Sequence, residues 1–130
     1  MNKKNIIIIS VVVIALISVL IIRSIIIGRM EKARDAARAK SCAATQRILT
    51  GATEMYNMDH PEMLTSLNVK ALLTPSYNPY TKKNESYLRE DPTKNDFGCE
   101  YASKGDLTQD GYIYCKKHGS VEEIVNKYGR

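Results

Sequence analysis

Between Asn5 and Asp59 the chain contains no proline, and only Gly28 and Gly51 interrupt a continuous helical reading. This stretch begins as a nearly pure aliphatic run, Ile6 to Ile22, and continues past Arg23 into Ile25-Ile26-Ile27. From Met30 it becomes alanine-rich and two-faced. The whole stretch is therefore expected to form one long helix, and everything after Pro61 must fold against its second half. Ile6 to Ile22 would rise about 26 Å as a helix, and extension to Ile27 gives about 33 Å, enough to cross a hydrocarbon core of about 30 Å. A run so rich in Ile and Val favours β structure in water, but in lipid a single segment satisfies its backbone as a helix. Ser10 and Ser18 are compatible with insertion because their hydroxyls can bond back to helix carbonyls. Arg23 can snorkel from the boundary. A cleaved secretory signal is the rival reading, but no small-x-small site follows the run; the next residues are Arg23-Ser24-Ile25.

Charge placement narrows the partners. The net charge is +5. Residues 1–59 hold nine Lys/Arg against four acids, a surplus of 9 − 4 = 5, whereas residues 60–130 hold ten of each. The whole excess thus lies on the helical stretch that contains the apolar run, where it suits anionic lipid head groups. A nucleic-acid binder would carry its basic patch on the folded domain, so no nucleic-acid partner is expected. The flanks alone leave orientation open. Lys3 and Lys4 precede the run and Arg29, Lys32, Arg34, Arg38 and Lys40 follow it, a count that would place the C-terminal part inside the cell.

Past the run, Met30, Ala33, Ala37, Ala44, Ile48, Ala52 and Met55 recur at helical spacing, and Cys42, Leu49 and Tyr56 widen that face. Small residues there allow close approach of a sheet or another helix. In the membrane half, Ile14, Ala15 and Ser18 are candidates for helix packing, Ala15 and Ser18 because small side chains let helices approach in lipid. Three segments are expected: an anchor at 1–28, an amphipathic spine at 29–59, and a small head at 60–130.

The apolar run, followed by Glu31-Lys32-Ala33-Arg34, Cys42-Ala43-Ala44-Thr45-Gln46-Arg47 and Ala52-Thr53-Glu54-Met55-Tyr56, resembles a type IV pilin or type II secretion pseudopilin. Cys115 to Gly119 is similar to the tail of some members. The resemblance covers residues 6–60 well and 97–119 weakly. It implies a single-pass protein of the bacterial cytoplasmic membrane, with its head outside the cytoplasm, against the charge count. It also implies self-association, or association with other pilin-like subunits, in a pilus or secretion-type filament. The chain departs from the family at Asn2-Lys3-Lys4-Asn5-Ile6-Ile7. Members carry Gly there for the processing peptidase, then Phe-Thr-Leu-x-Glu. The alternative reading is accordingly an uncleaved single-span protein whose head is a binding module that does not polymerise.

In the head, Leu64, Leu67, Leu72 and Leu73 suggest one or two short helices closed by Pro75, with Asp59 able to cap the first. Residues 76–96 read as loop, pinned by Tyr77, Tyr80, Tyr87 and Leu88. Asn84-Glu85-Ser86 is a formal glycosylation acceptor, set aside in a chain that looks bacterial. Residues 97–101 and 112–115 read as two strands of a hairpin. Setting Cys99 opposite Cys115 places Phe97, Cys99, Tyr101, Ile113 and Cys115 on one face. Ser120-x-x-Glu123 is a capping box that starts a last helix, with Val121, Ile124, Val125 and Tyr128 inward. The fold class is thus α+β: a long helix packed against a small head with a hairpin or small antiparallel sheet and short helices.

Cys99 and Cys115 are the expected disulfide, closing a short loop worth roughly 3 kcal/mol in the chain-entropy picture; Cys42 would then be a buried helix thiol. The alternative is zinc on Cys99, Cys115 and His118, with Cys42 or His60 as fourth ligand, since Cys-x-x-His is half-site spacing. Asp106-Leu107-Thr108-Gln109-Asp110-Gly111 echoes the start of a calcium loop through Asp106 and Asp110, but Lys117 stands where the closing Glu belongs. A hairpin turn is the simpler reading. Neither a phosphate-cradling glycine loop nor a nucleophile–base pair is apparent, so neither catalysis nor a cofactor is expected.

Overall fold

The computed structural model describes residues 3–94 and 98–129. Helix α1 runs Lys3–Asp59, followed by α2 (Val69–Leu73), β1 (Ser76–Asn78), β2 (Lys83–Glu85), β3 (Tyr101–Lys104), β4 (Tyr112–Cys115), β5 (Gly119–Ser120) and α3 (Val121–Tyr128). The architecture is α+β, a long N-terminal helix with a small head of short helices and two small antiparallel sheets. Two compact units divide between Ala37 and Arg38.

In the first unit the apolar side chains from Ile7 to Ile27 are all exposed, from 47% at Val13 to 66% at Leu20. Soluble monomers rarely expose so large a contiguous apolar surface. By length and composition the helix can cross a membrane. Ser18 donates its hydroxyl to the Ile14 carbonyl at 2.8 Å, which removes the polar cost of that residue in lipid.

In the second unit α1 supplies the centre of the core. Ala39, Cys42, Ala43, Gln46, Leu49, Ala52 and Thr53 are buried, a three–four spacing that keeps one face inward. Two clusters form on that face. Ala39, Cys42 and Ala43 pack with Cys99, Cys115 and Ile124; Leu49 and Ala52 pack with Leu72, Leu88 and Ile113. The expected apolar stripe divides along its length. Its Cys42–Leu49–Tyr56 side turns inward with Ala52, while Ala44, Ile48 (53% exposed) and Met55 face outward. Ala33 and Ala37, in the first unit, are exposed.

Local chemistry accounts for most of the connections. Asn57 clamps Leu64, accepting from its N–H at 2.6 Å and donating to its carbonyl at 3.2 Å, so the chain turns after α1 without a helix there. Asn68, not Asp59, caps the short helix that follows, accepting from the Ala71 N–H at 3.1 Å. Residues 76–96, read as loop, contain the β1–β2 hairpin. Asn78 organises its turn by accepting from the N–H groups of Tyr80 and Thr81 at 2.9 and 3.2 Å. The Ser120–Glu123 capping box is present in both directions, and Ile124 is buried beneath it.

The larger sheet has the order β3-β4-β5, all antiparallel. Its register corrects the expected one by two residues: Tyr101, not Cys99, lies opposite Cys115, and Ser103 lies opposite Ile113. A shift of two preserves the faces, so Ile113 and Cys115 still point inward. Phe97 lies outside the described residues.

Candidate metal centre

Three chain segments converge on one point of the head. Cys42 comes from the inward face of α1. Cys99 lies two residues before β3, after Gly98 at φ +62°. Cys115 ends β4, and the turn that follows carries His118 back toward it before β5 begins at Gly119. Gly119 holds φ +87°, and a Cβ there would meet the Glu123 side chain, so glycine lets the chain enter α3 directly.

The donor atoms of these four residues lie within 4.8 Å of one another. His118 Nδ1 is 3.2 Å from Cys42 Sγ, 3.5 Å from Cys99 Sγ and 3.7 Å from Cys115 Sγ. The sulfurs of Cys42 and Cys115 are 3.7 Å apart. Cys42 and Cys99 are joined as a disulfide, and Cys115 is a free, buried cysteine. The expected Cys99–Cys115 pairing is thereby corrected. The true register brings Tyr101 opposite Cys115, and the inward turn of α1 puts the Cys42 sulfur against Cys99.

Support around the cluster is mostly local. The Tyr101 hydroxyl donates to Cys42 Sγ at 3.4 Å. One helical turn further along α1, the buried Gln46 donates to the Gly119 carbonyl at 2.9 Å, fixing the backbone next to His118. Gln46 was not singled out as a site residue from sequence; its spacing from Cys42 and Leu49 on one helix face is the signal that finds it. Chemically, three sulfurs and one imidazole nitrogen are a soft donor set of the kind that holds zinc.

The other candidate donors sit elsewhere. His60 stacks on Tyr56 with ring centroids 4.0 Å apart, and its Nδ1 lies 3.1 Å from the Tyr56 carbonyl. It shares this corner with Tyr87, whose hydroxyl donates to Asp59 at 2.9 Å. Burial, then that hydrogen bond and the charge of Asp59, push the Tyr87 phenol up to about 12. Asp106 shapes the β3–β4 turn: its carboxylate accepts from the Thr108 hydroxyl at 2.7 Å and then its N–H at 2.9 Å, which lowers its pKa. Its carbonyl accepts from Gln109 and Gly111. Asp110 is exposed.

No family model, curated protein or solved structure matches this chain.

Proposed function

We propose that the protein is a membrane-anchored structural subunit of the pilin-like kind, which works by helix-mediated association. One observation carries this reading. A single helix, α1, combines a wholly exposed apolar first half with a second half that supplies the centre of the head's core. A helix so built has two tasks: its first part enters lipid or a bundle of like helices, and its second part carries a folded module. Within the head, Ala44, Ile48, Met55 and Met58 line the outward side of α1 at spacings of four, seven and three residues. This is a seam compatible with another helix, and a second copy of the chain is the proposed occupant. The proposed site is the bacterial cytoplasmic membrane, with the head outside the cytoplasm. No catalytic role is proposed.

The test is photo-crosslinking. A photoreactive amino acid at Ile48, in the full chain expressed in its membrane, is expected to give adducts of two or more copies. A control at the buried Leu72 should give none. A second reading, a single-span module that does not polymerise, is favoured by the residues before the run, Asn2-Lys3-Lys4-Asn5, which lack the family's Gly, Phe and Glu. Monomer alone after crosslinking at Ile48, together with an unprocessed N-terminus, would replace the first reading with the second.

A further inference from the structure

We propose that Cys42, Cys99, Cys115 and His118 form a structural zinc site, with the metal bound by three thiolates and His118 Nδ1. A disulfide between Cys42 and Cys99 explains two of these residues. It does not explain why a third cysteine and an imidazole nitrogen point at the same place. A tetrahedral metal explains all four. With Zn–S near 2.3 Å and Zn–N near 2.0–2.1 Å, a tetrahedral site spaces its sulfurs roughly 3.8 Å apart and its sulfur and nitrogen roughly 3.6 Å apart. The structure has 3.7 Å for Cys42–Cys115 and 3.5, 3.7 and 3.2 Å for the three sulfur–nitrogen separations. Three of the six edges between donor atoms thus match metal-site lengths, the Cys42–His118 edge is shorter at 3.2 Å, and the Cys99–Cys115 edge lies within 4.8 Å. The remaining requirement is that Cys42 and Cys99 be thiolates. Their Cα atoms stand 7.1 Å apart, longer than the about 4.4–6.8 Å that disulfides usually span and comfortable for two ligands of one ion.

Cys115 and His118 also have the Cys-x-x-His spacing of a zinc half-site, delivered by a strand end and its following turn. All three sulfurs come from residues at most 7% exposed. Four protein donors fill a tetrahedral zinc, leaving no position for water, so the role is structural and not catalytic. The ion would tie α1 to β4 and to the segment before β3, in a head whose hydrophobic clusters are small. Small domains commonly need such a staple.

Binding requires no electron transfer. Three thiols each give up a proton to solvent, the imidazole binds through its neutral Nδ1, and three thiolates with Zn²⁺ leave a net charge of −1. The metal site and the Cys42–Cys99 disulfide use the same two sulfurs and therefore exclude one another. A phosphine reductant supplies the two electrons that, with two protons, return the disulfide to thiols. The zinc site does not depend on whether the chain assembles, so its failure and that of the pilin-like reading are separately visible.

The experiment uses the full chain in detergent, reduced with a phosphine and dialysed against zinc sulfate. We expect one zinc per chain by elemental analysis. Cobalt(II) in its place should give the absorption of tetrahedral thiolate ligation. Zinc should protect all three cysteines from alkylation, read by mass spectrometry. Cys115→Ser and His118→Ala are each expected to weaken zinc by more than the about 10- to 100-fold that loss of an outer partner costs. Cys115→Ser keeps both partners of the Cys42–Cys99 disulfide, so its fold is checked in the oxidised form before reduction. Reduced protein that binds no stoichiometric zinc, or variants that bind it as tightly as wild type, would overturn the proposal. Alkylation of the wild type needs no variant, and thiols that react equally with and without zinc would overturn it as well.

Discussion

Leu49 and Ile48 are neighbours of similar size on the same helix, and the structure assigns them opposite environments. Leu49 is fully buried among Ala52, Leu72, Leu88 and Ile113, whereas Ile48 is 53% exposed. Truncation of each to alanine therefore separates packing from helix chemistry. Leu49→Ala removes three buried carbons, at roughly 0.8 kcal/mol each. The cavity left beneath α1 brings the expected cost to about 2.5–5 kcal/mol. A unit of this size has a total stability on the order of 5–14 kcal/mol, so this single change consumes a large share of it. At about 4–8 °C per kcal/mol for a domain under 100 residues, a 3 kcal/mol loss lowers Tm by about 12–24 °C. In the unassembled chain Ile48→Ala leaves no cavity and gains slightly in helix propensity, so its effect there should stay within about 0.5 kcal/mol. Near-ultraviolet circular dichroism reads the unfolding, because seven of the eight tyrosines lie at or beyond Tyr77, in the head. Equal losses for the two variants, or a larger loss for Ile48→Ala, would show that the inward face of α1 has been wrongly assigned.

Three further outcomes follow from the head. Ser120→Ala removes one half of the capping box on α3 and should cost about 1 kcal/mol by chemical denaturation; no change would mean that α3 is held by Ile124 alone. Gly111→Ala would place a Cβ 2.5 Å from the Asp106 carbonyl carbon, so the β3–β4 turn must shift at a cost of about 1–3 kcal/mol, and a neutral Tm would contradict that turn. Tyr87 keeps its proton in the folded chain up to about 12, against 10.0 for an ordinary tyrosine. Its contribution is complete below the unfolded pKa and is lost as pH rises between those values, because the unfolded chain ionises first. Tyr87→Phe should therefore flatten the alkaline fall in stability over that window, and an unchanged slope would remove Tyr87 as its source.

The sequence exposed the helix and concealed its rotation. An aliphatic run followed by alanine-rich periodicity, with no proline before Pro61, leaves few alternatives to α1. Which side of it faces inward depends on Gln46 and Thr53, polar residues that a search for apolar spacing passes over and that the structure buries. Thr53 meets its polarity locally, on the Leu49 carbonyl, whereas Gln46 donates its amide across the head to the Gly119 carbonyl and leaves its buried Oε1 without a hydrogen-bond partner among the described residues. The β1–β2 hairpin was hidden because its strands are three residues long and largely polar, and a side chain, Asn78, sets its turn. The β3–β4 register differs by two because β3 starts at Tyr101 and continues to Lys104, so the connection is shorter than the one read from sequence, and Asp106 closes it as a compact turn. Setting Cys99 opposite Cys115 as partners is itself what produced that slip. The clustering of Cys42 with His118, 76 residues apart, follows from packing on α1 and has no local signature.

Alkaline carbonate extraction of membranes, comparing the wild type with Ile14→Arg, tests the anchoring role of α1 most directly. An arginine at the middle of a spanning helix costs about 2.5–3.5 kcal/mol of insertion free energy. The wild type is expected to stay in the membrane pellet, and a substantial fraction of Ile14→Arg to move to the supernatant. Release of the wild type itself, or identical retention of both proteins, would contradict that role.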